Sequence, residues 1–167
     1  MSLDPDRRGD SVVRVITIAA SPEHVFAFFT DPARMRRWIG TEVDLEPWPG
    51  GLFRVVPNGV DVIVGKYLEV VPSSRVVFTW GFEGSGQALP AGGSIVEVTL
   101  RPVDGGTDVR LVHRKLPDDL VEPHGQGWTH YLARVATAAA GGDPGVDPLG
   151  LPSVRHANKI DHGISGP

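Results

Sequence analysis

The chain has 167 residues, 41% of them hydrophobic and 22% charged, with a formal net charge of −4 and no cysteine. That length suits one domain with a substantial core. The acidic balance excludes non-specific attraction to nucleic acid or anionic lipid, and the lack of cysteine excludes disulfides, thiolate metal sites and thiol nucleophiles. No apolar run approaches the roughly 18 residues of a membrane span, and no signal-peptide core opens the chain. The default expectation is a cytoplasmic protein.

Met1 to Ser11 is polar and reads as a flexible leader. Val12 to Ile18 is β-branched enough for a first strand. Ser21-Pro22-Glu23-His24 then opens a short helix, with Ser21 as N-cap, Pro22 in the first turn and His24 where a capping-box acid usually sits. Val25, Phe26, Phe28 and Phe29 supply its apolar surface. Asp31-Pro32 repeats the start signal for a second short helix through Met35 to Trp38. Strands are expected at Glu42 to Leu45 and Leu52 to Val56, separated by the turn Pro47-Trp48-Pro49-Gly50-Gly51. Asn58-Gly59 is a strong hairpin signal, leading into a long strand from Val60 to Val71 with a bulge at Gly65. Arg75 to Phe82 follows, then a Gly-, Ser- and Pro-rich loop from Glu83 to Gly93. Two further strands, Ser94 to Arg101 and Thr107 to Lys115, flank the Asp104-Gly105 turn.

The register of this last hairpin follows from its turn. If Val103 faces Gly106, then Leu100 pairs with Val109, Val98 with Leu111 and Val96 with His113, all on one face. Arg101 then meets Asp108 on the other. One face is apolar and one polar, as a curved antiparallel sheet covered on one side requires. The cover is the stretch from Gly125 to Ala140. Trp128, Tyr131, Leu132 and Val135, with Ala136 and Ala139, make the apolar stripe of a helix. Gly141 to Pro167 is punctuated by Gly and Pro too densely for regular structure and reads as an extended or disordered tail, leaving residues 12–140 as the folded domain.

The order strand, two short helices, six strands, long helix resembles the helix-grip or START-like fold (SRPBCC superfamily). The sequence is similar to its bacterial family named after the activator of the heat-shock-protein ATPase (AHSA-like). Four pieces carry the resemblance: Ala20-Ser21-Pro22-Glu23-His24-Val25-Phe26 with Thr30-Asp31-Pro32 and Trp38; Pro49-Gly50-Gly51-Leu52-Phe53; Gly65-Lys66-Tyr67-Leu68-Glu69-Val70 with Val77-Phe78-Thr79-Trp80; and Gly127-Trp128. The resemblance implies an α+β fold in which about seven antiparallel strands curve around the C-terminal helix. It also implies a cavity between them that takes an apolar molecule. The superfamily spans lipid carriers, hormone receptors, ring cyclases and co-chaperone-like modules, so it names no reaction.

Candidate cavity residues are Trp38, Phe53, Tyr67, Phe78, Trp80, Val98, Leu111, His113, Trp128, Tyr131 and Leu132. Apolar stripes usually just pack, so the helix residues are weighed first as core. Phe78 and Trp80 are expected on opposite faces of their strand, so that only one of them lines the cavity. Tyr67 has a hydroxyl for a ligand, or for a backbone partner. His113 points toward the helix, as a ligand anchor or proton-transfer group, or as a core histidine satisfied by neighbours. His124 lies near the last helix, His130 is expected at its surface, and His156 and His162 fall in the tail. No pair among the six histidines has the spacing of a metal motif, and neither metal nor cofactor is expected. The small basic patch Arg34, Arg36, Arg37 reads as solvated surface.

Three functions are compatible with this pattern: binding of a small hydrophobic or aromatic ligand; a cyclase, dehydratase or hydrolase working in the same cavity; and a co-chaperone-like interaction module. The partner expected first is a small apolar molecule, with the protein a monomer or homodimer.

Overall fold

A computed structural model of the chain describes residues 11–147. Most of the expected leader (1–10) and the tail from 148 onward, including His156 and His162, lie outside the described residues. The elements are β1 (Val12–Ile18), α1 (Pro22–Ala27), α2 (Pro32–Met35), β2 (Glu42–Leu45), β3 (Leu52–Val56), β4 (Ile63–Val71), β5 (Arg75–Trp80), β6 (Ser94–Val103), β7 (Gly106–Arg114) and α3 (Asp118–Ala139). The strands form one seven-stranded antiparallel sheet in the order β1-β7-β6-β5-β4-β3-β2. With α3 gripped by that sheet, this is the α+β helix-grip architecture.

Local chemistry sets the short helices. Ser21 Oγ accepts the His24 amide at 3.2 Å and Asp31 Oδ1 the Ala33 amide at 3.0 Å, each just before a proline that suits the first turn. The β6–β7 register is the expected one, with Val98 opposite Leu111, Val96 opposite His113 and Arg101 opposite Asp108.

Three local expectations need correction. The 57–62 segment is a longer loop than a two-residue hairpin, because Asn58 Oδ1 accepts the amides of Val60 and Asp61 at 2.8 and 2.7 Å, and β4 starts only at Ile63. The bulge falls between Tyr67 and Glu69, not at Gly65. Gly65 is instead a point of close approach, where a Cβ would overlap the Thr79 carbonyl. Helix α3 begins at Asp118, well before Gly125, and carries Pro123 inside it. Proline here forgoes one backbone hydrogen bond near the helix start.

Residues 141–147 fold back on the domain, where the composition suggests a loose tail. Arg37 Nη2 donates to the Gly142 carbonyl at 3.1 Å and Arg134 to the carbonyls of Pro144 and Gly145. Among the described residues no helix is long and apolar enough to cross a membrane.

Two glycine-to-alanine substitutions should have opposite signs. Gly65→Ala drives a methyl into backbone and should lower stability by at least about 2 kcal/mol. Gly127 is buried in α3, yet a Cβ there meets nothing within 4 Å. Gly127→Ala should therefore raise stability by about 0.5–1 kcal/mol. Urea titration of both variants checks the pair.

Candidate functional site

The concave face of the sheet is aromatic. Phe53 of β3 stacks on Phe78 of β5 with ring centroids 4.1 Å apart, and Tyr67 meets both edge-on. Trp80 lies 5.2 Å from Trp128 of α3, and Trp128 in turn lies 6.3 Å from Trp38. Phe78 and Trp80 are two residues apart, so strand alternation puts them on the same face. Both are buried, and their rings are 6.4 Å apart. The expectation that they oppose each other is wrong for that reason.

Polar groups inside this face are joined in a defined chain. The Trp128 indole N–H donates to His113 Nδ1 at 3.0 Å. An indole nitrogen can only donate, so the neutral ring carries its proton on Nε2, which lies 2.8 Å from Ser94 Oγ. Ser94 passes the chain on by donating to the Trp80 carbonyl at 2.7 Å. A second pair runs beside it. His124 Nδ1 lies 2.9 Å from the Leu120 carbonyl, which can only accept, and His124 Nε2 accepts from the Trp80 indole at 3.4 Å. The two imidazoles are edge to face, 5.1 Å apart.

These partners hold both histidines neutral. Burial depresses the His113 pKa well below the ordinary imidazole value, and the neighbouring His124 adds to it. Burial also lowers that of His124, against the opposing effect of the Leu120 carbonyl. Protonation of either ring would set an imidazole N–H against an indole N–H. Tyr67 is likewise engaged: its hydroxyl donates to the Phe29 carbonyl at 2.9 Å, and burial raises its pKa.

A cleft of about 390 Å³ opens at the other end of α3. Its walls come from the turn after α2 (Arg36, Trp38, Ile39, Gly40, Thr41), the β3–β4 loop (Pro57, Asn58), Arg134 of α3 and the returning residues Gly145, Val146 and Asp147. Arg134 bridges its sides: Nε donates to the Trp38 carbonyl at 3.1 Å, while Nη1 and Nη2 donate to Pro144 and Gly145 at 3.1 and 3.0 Å. His130 Nε2 lies 2.7 Å from Asp147 Oδ1. Burial, then Asp147, raises the Tyr131 pKa, and Arg134 opposes the shift.

Of the candidate residues, only Trp38 lines this cleft. Phe53, Tyr67, Phe78, Trp80, Val98, Leu111, His113, Trp128 and Leu132 are, like Trp38 itself, at most 5% exposed, and Tyr131 is partly buried against Trp38. His130 is half-buried rather than at the surface. Sequence reasoning missed the roles of His124 and Arg134. His124 stands four residues before Trp128 and seven before Tyr131, a helical spacing masked by the flanking Pro123 and Gly125. Arg134 gave no signal, since its partners are carbonyl groups remote in sequence. Among the described residues, no three His, Asp or Glu side chains are placed to hold a metal ion.

A curved antiparallel sheet gripping a C-terminal helix defines a helix-grip protein. The family model described as Activator of Hsp90 ATPase homolog 1-like protein matches residues 19–140, and the chain belongs to that family. It is similar to an AHSA1-like protein of Rhizobium etli solved by NMR. The two are 44% identical, over 83% of this chain and 86% of that one, with a TM-score of 0.66. It is also similar to DynU16, a putative protein in the dynemicin biosynthetic locus. Here identity is 25%, over 81% of this chain and 49% of that one, with a TM-score of 0.70. An uncharacterized protein of Schizosaccharomyces pombe is 28% identical over 102 residues. That match takes in 60% of this chain but only 28% of the yeast protein's length.

The histidine pair makes the fold acid-sensitive. The unfolded imidazole titrates near 6.5. Above that pH neither state binds the proton and the full contribution is present. Below it the unfolded chain takes up protons that the folded one refuses, and stability falls by up to about 1.4 kcal/mol per pH unit for each ring until its lowered folded pKa is reached. Urea midpoints between pH 7.5 and 5 should show the decline, and replacing His124 by Gln should make it shallower. Ser94→Ala strands the His113 Nε2–H and should cost about 1–3 kcal/mol at neutral pH.

Proposed function

We propose that the protein binds a small apolar or aromatic molecule at the mouth formed by the turn after α2, the β3–β4 loop and the C-terminal half of α3. The observation that carries this is the cleft of about 390 Å³ beside Trp38 and Ile39. Its size falls in the range of small-molecule sites, and its wall sets Trp38, Ile39, Pro57 and Val146 beside the polar Arg36, Thr41, Asn58, Arg134 and Asp147. Trp38 is then the boundary between the cleft and the aromatic interior. Removal of apolar surface from water supplies most of the affinity, at about 25 cal/mol per Å².

An enzyme of the cyclase, dehydratase or hydrolase kind is less well supported. The proton-transfer groups it would use, His113 and Tyr67, already have protein partners for their polar atoms and are absent from the cleft wall. The interaction-module reading rests on the family description alone.

Native mass spectrometry of protein purified without added ligand should show a retained species of a few hundred daltons, roughly what such sites hold. A neutral aromatic probe, 1-naphthaleneacetamide, should quench tryptophan emission saturably. An empty mass spectrum together with no saturable quenching would count against binding at this mouth.

A further inference from the structure

Arg134 is held as an anion receptor would be. Its Nε is fixed on the Trp38 carbonyl, so the guanidinium plane is oriented before any ligand arrives. Its two terminal nitrogens each donate to one carbonyl oxygen of consecutive residues, Pro144 and Gly145. Two oxygens on one guanidinium fork is the geometry in which arginine takes a carboxylate. The carbonyls that occupy it are uncharged, and a carboxylate makes the same pair of hydrogen bonds with charge assistance.

The segment that supplies those oxygens is attached to the fold mainly through side-chain contacts. Gly142 is reached by Arg37 and donates its amide to the Thr137 carbonyl, while Asp147 meets His130 and is hydrogen-bonded to Tyr131. Its one large apolar side chain, Val146, is 94% exposed. The same segment brings Asp147 to the cleft wall. Its withdrawal would take one carboxylate from the cleft wall and free the two terminal nitrogens of Arg134.

We infer that the ligand of this mouth is a small apolar or aromatic carboxylic acid, that Arg134 receives its carboxylate, and that residues 143–147 occupy the receptor as an internal stand-in until it binds. The inference rests on the binding function proposed above and adds to it the ligand's charged end and the segment it displaces. Binding and strap release are then reciprocally linked, since each takes the fork from the other.

The test uses the full chain and two probes of nearly equal shape, 1-naphthaleneacetate and 1-naphthaleneacetamide, titrated calorimetrically at pH 7.5 in low salt. The carboxylate should bind at least about tenfold more tightly than the amide. Arg134→Gln should bring that ratio to near one, and Arg134→Lys, which keeps the charge but not the fork, should leave it well below the wild-type value. Asp147→Asn, which weakens the strap, should tighten the carboxylate severalfold. In ¹⁵N spectra the Gly145 and Val146 amides should move with the carboxylate and stay with the amide. Equal affinity for the two probes, in protein that binds both, overturns the inference and leaves the proposed binding function standing. Binding of neither overturns both. Should Arg134→Gln fail to fold, the wild-type ratio and the Gly145 shift still decide.

Discussion

The hydrogen bond from Trp128 to His113 fixes where α3 lies on the sheet. Apolar burial draws the helix onto the concave face, but that attraction is non-directional and would tolerate a range of positions. The indole N–H, the imidazole, the Ser94 hydroxyl and the Trp80 carbonyl remove that tolerance, because each buried donor finds its acceptor only in one placement. Leaving one such group unmade costs about 1–3 kcal/mol, a large share of a domain's net stability. His124 adds a second point of attachment one helical turn earlier, through the Trp80 indole.

Magnitudes separate what holds the fold from what decorates it. A buried aromatic removes about 150–250 Å² from water, worth at most about 4–6 kcal/mol on an extended-chain reference. The outer face carries ion pairs instead: Arg75 with Glu69 and Glu97, Arg114 with Glu97, and Arg101 with Asp108. Exposed pairs of this kind contribute about 0–1 kcal/mol each. Their main effect is to keep a broad sheet face soluble and in register. The interior stacks set stability, and the polar chain running through them sets geometry.

The strands and their register were legible in the residues because alternation and turn chemistry are local. Val103 and Gly106 bracket a turn, and everything from Arg101 opposite Asp108 to Val96 opposite His113 follows from that single constraint. Legibility stopped where two signals conflicted or none existed. Pro123 and Gly125 read as helix breakers, yet sheet packing outweighs their propensity cost and extends α3 back to Asp118. The fold-back of residues 141–147 depends on backbone carbonyls meeting Arg37, Arg134 and a carboxylate meeting His130, contacts that no composition reveals. The inward direction of His113 was readable from the register. Its engagement on both nitrogens was not, since Trp128 and Ser94 approach from separate elements.

These two kinds of residue divide the molecule into a committed half and an available half. Tyr67, His113 and His124 have the functional groups of acid–base chemistry, but each has its polar atoms hydrogen-bonded to protein and out of water. A group so satisfied gains nothing by turning toward a guest unless the guest replaces every partner it gives up. At the mouth the balance is different. Arg134 keeps one donor on the domain's own Trp38 carbonyl and gives its two terminal nitrogens to a short segment beyond the helix. A ligand shifts an equilibrium only by the difference between the contacts it makes and those it displaces. The same helix therefore does two things by its length: its N-terminal half closes the aromatic interior through Trp128, and its C-terminal half presents Arg134 to the cleft, whose wall also carries Arg36 and Asp147.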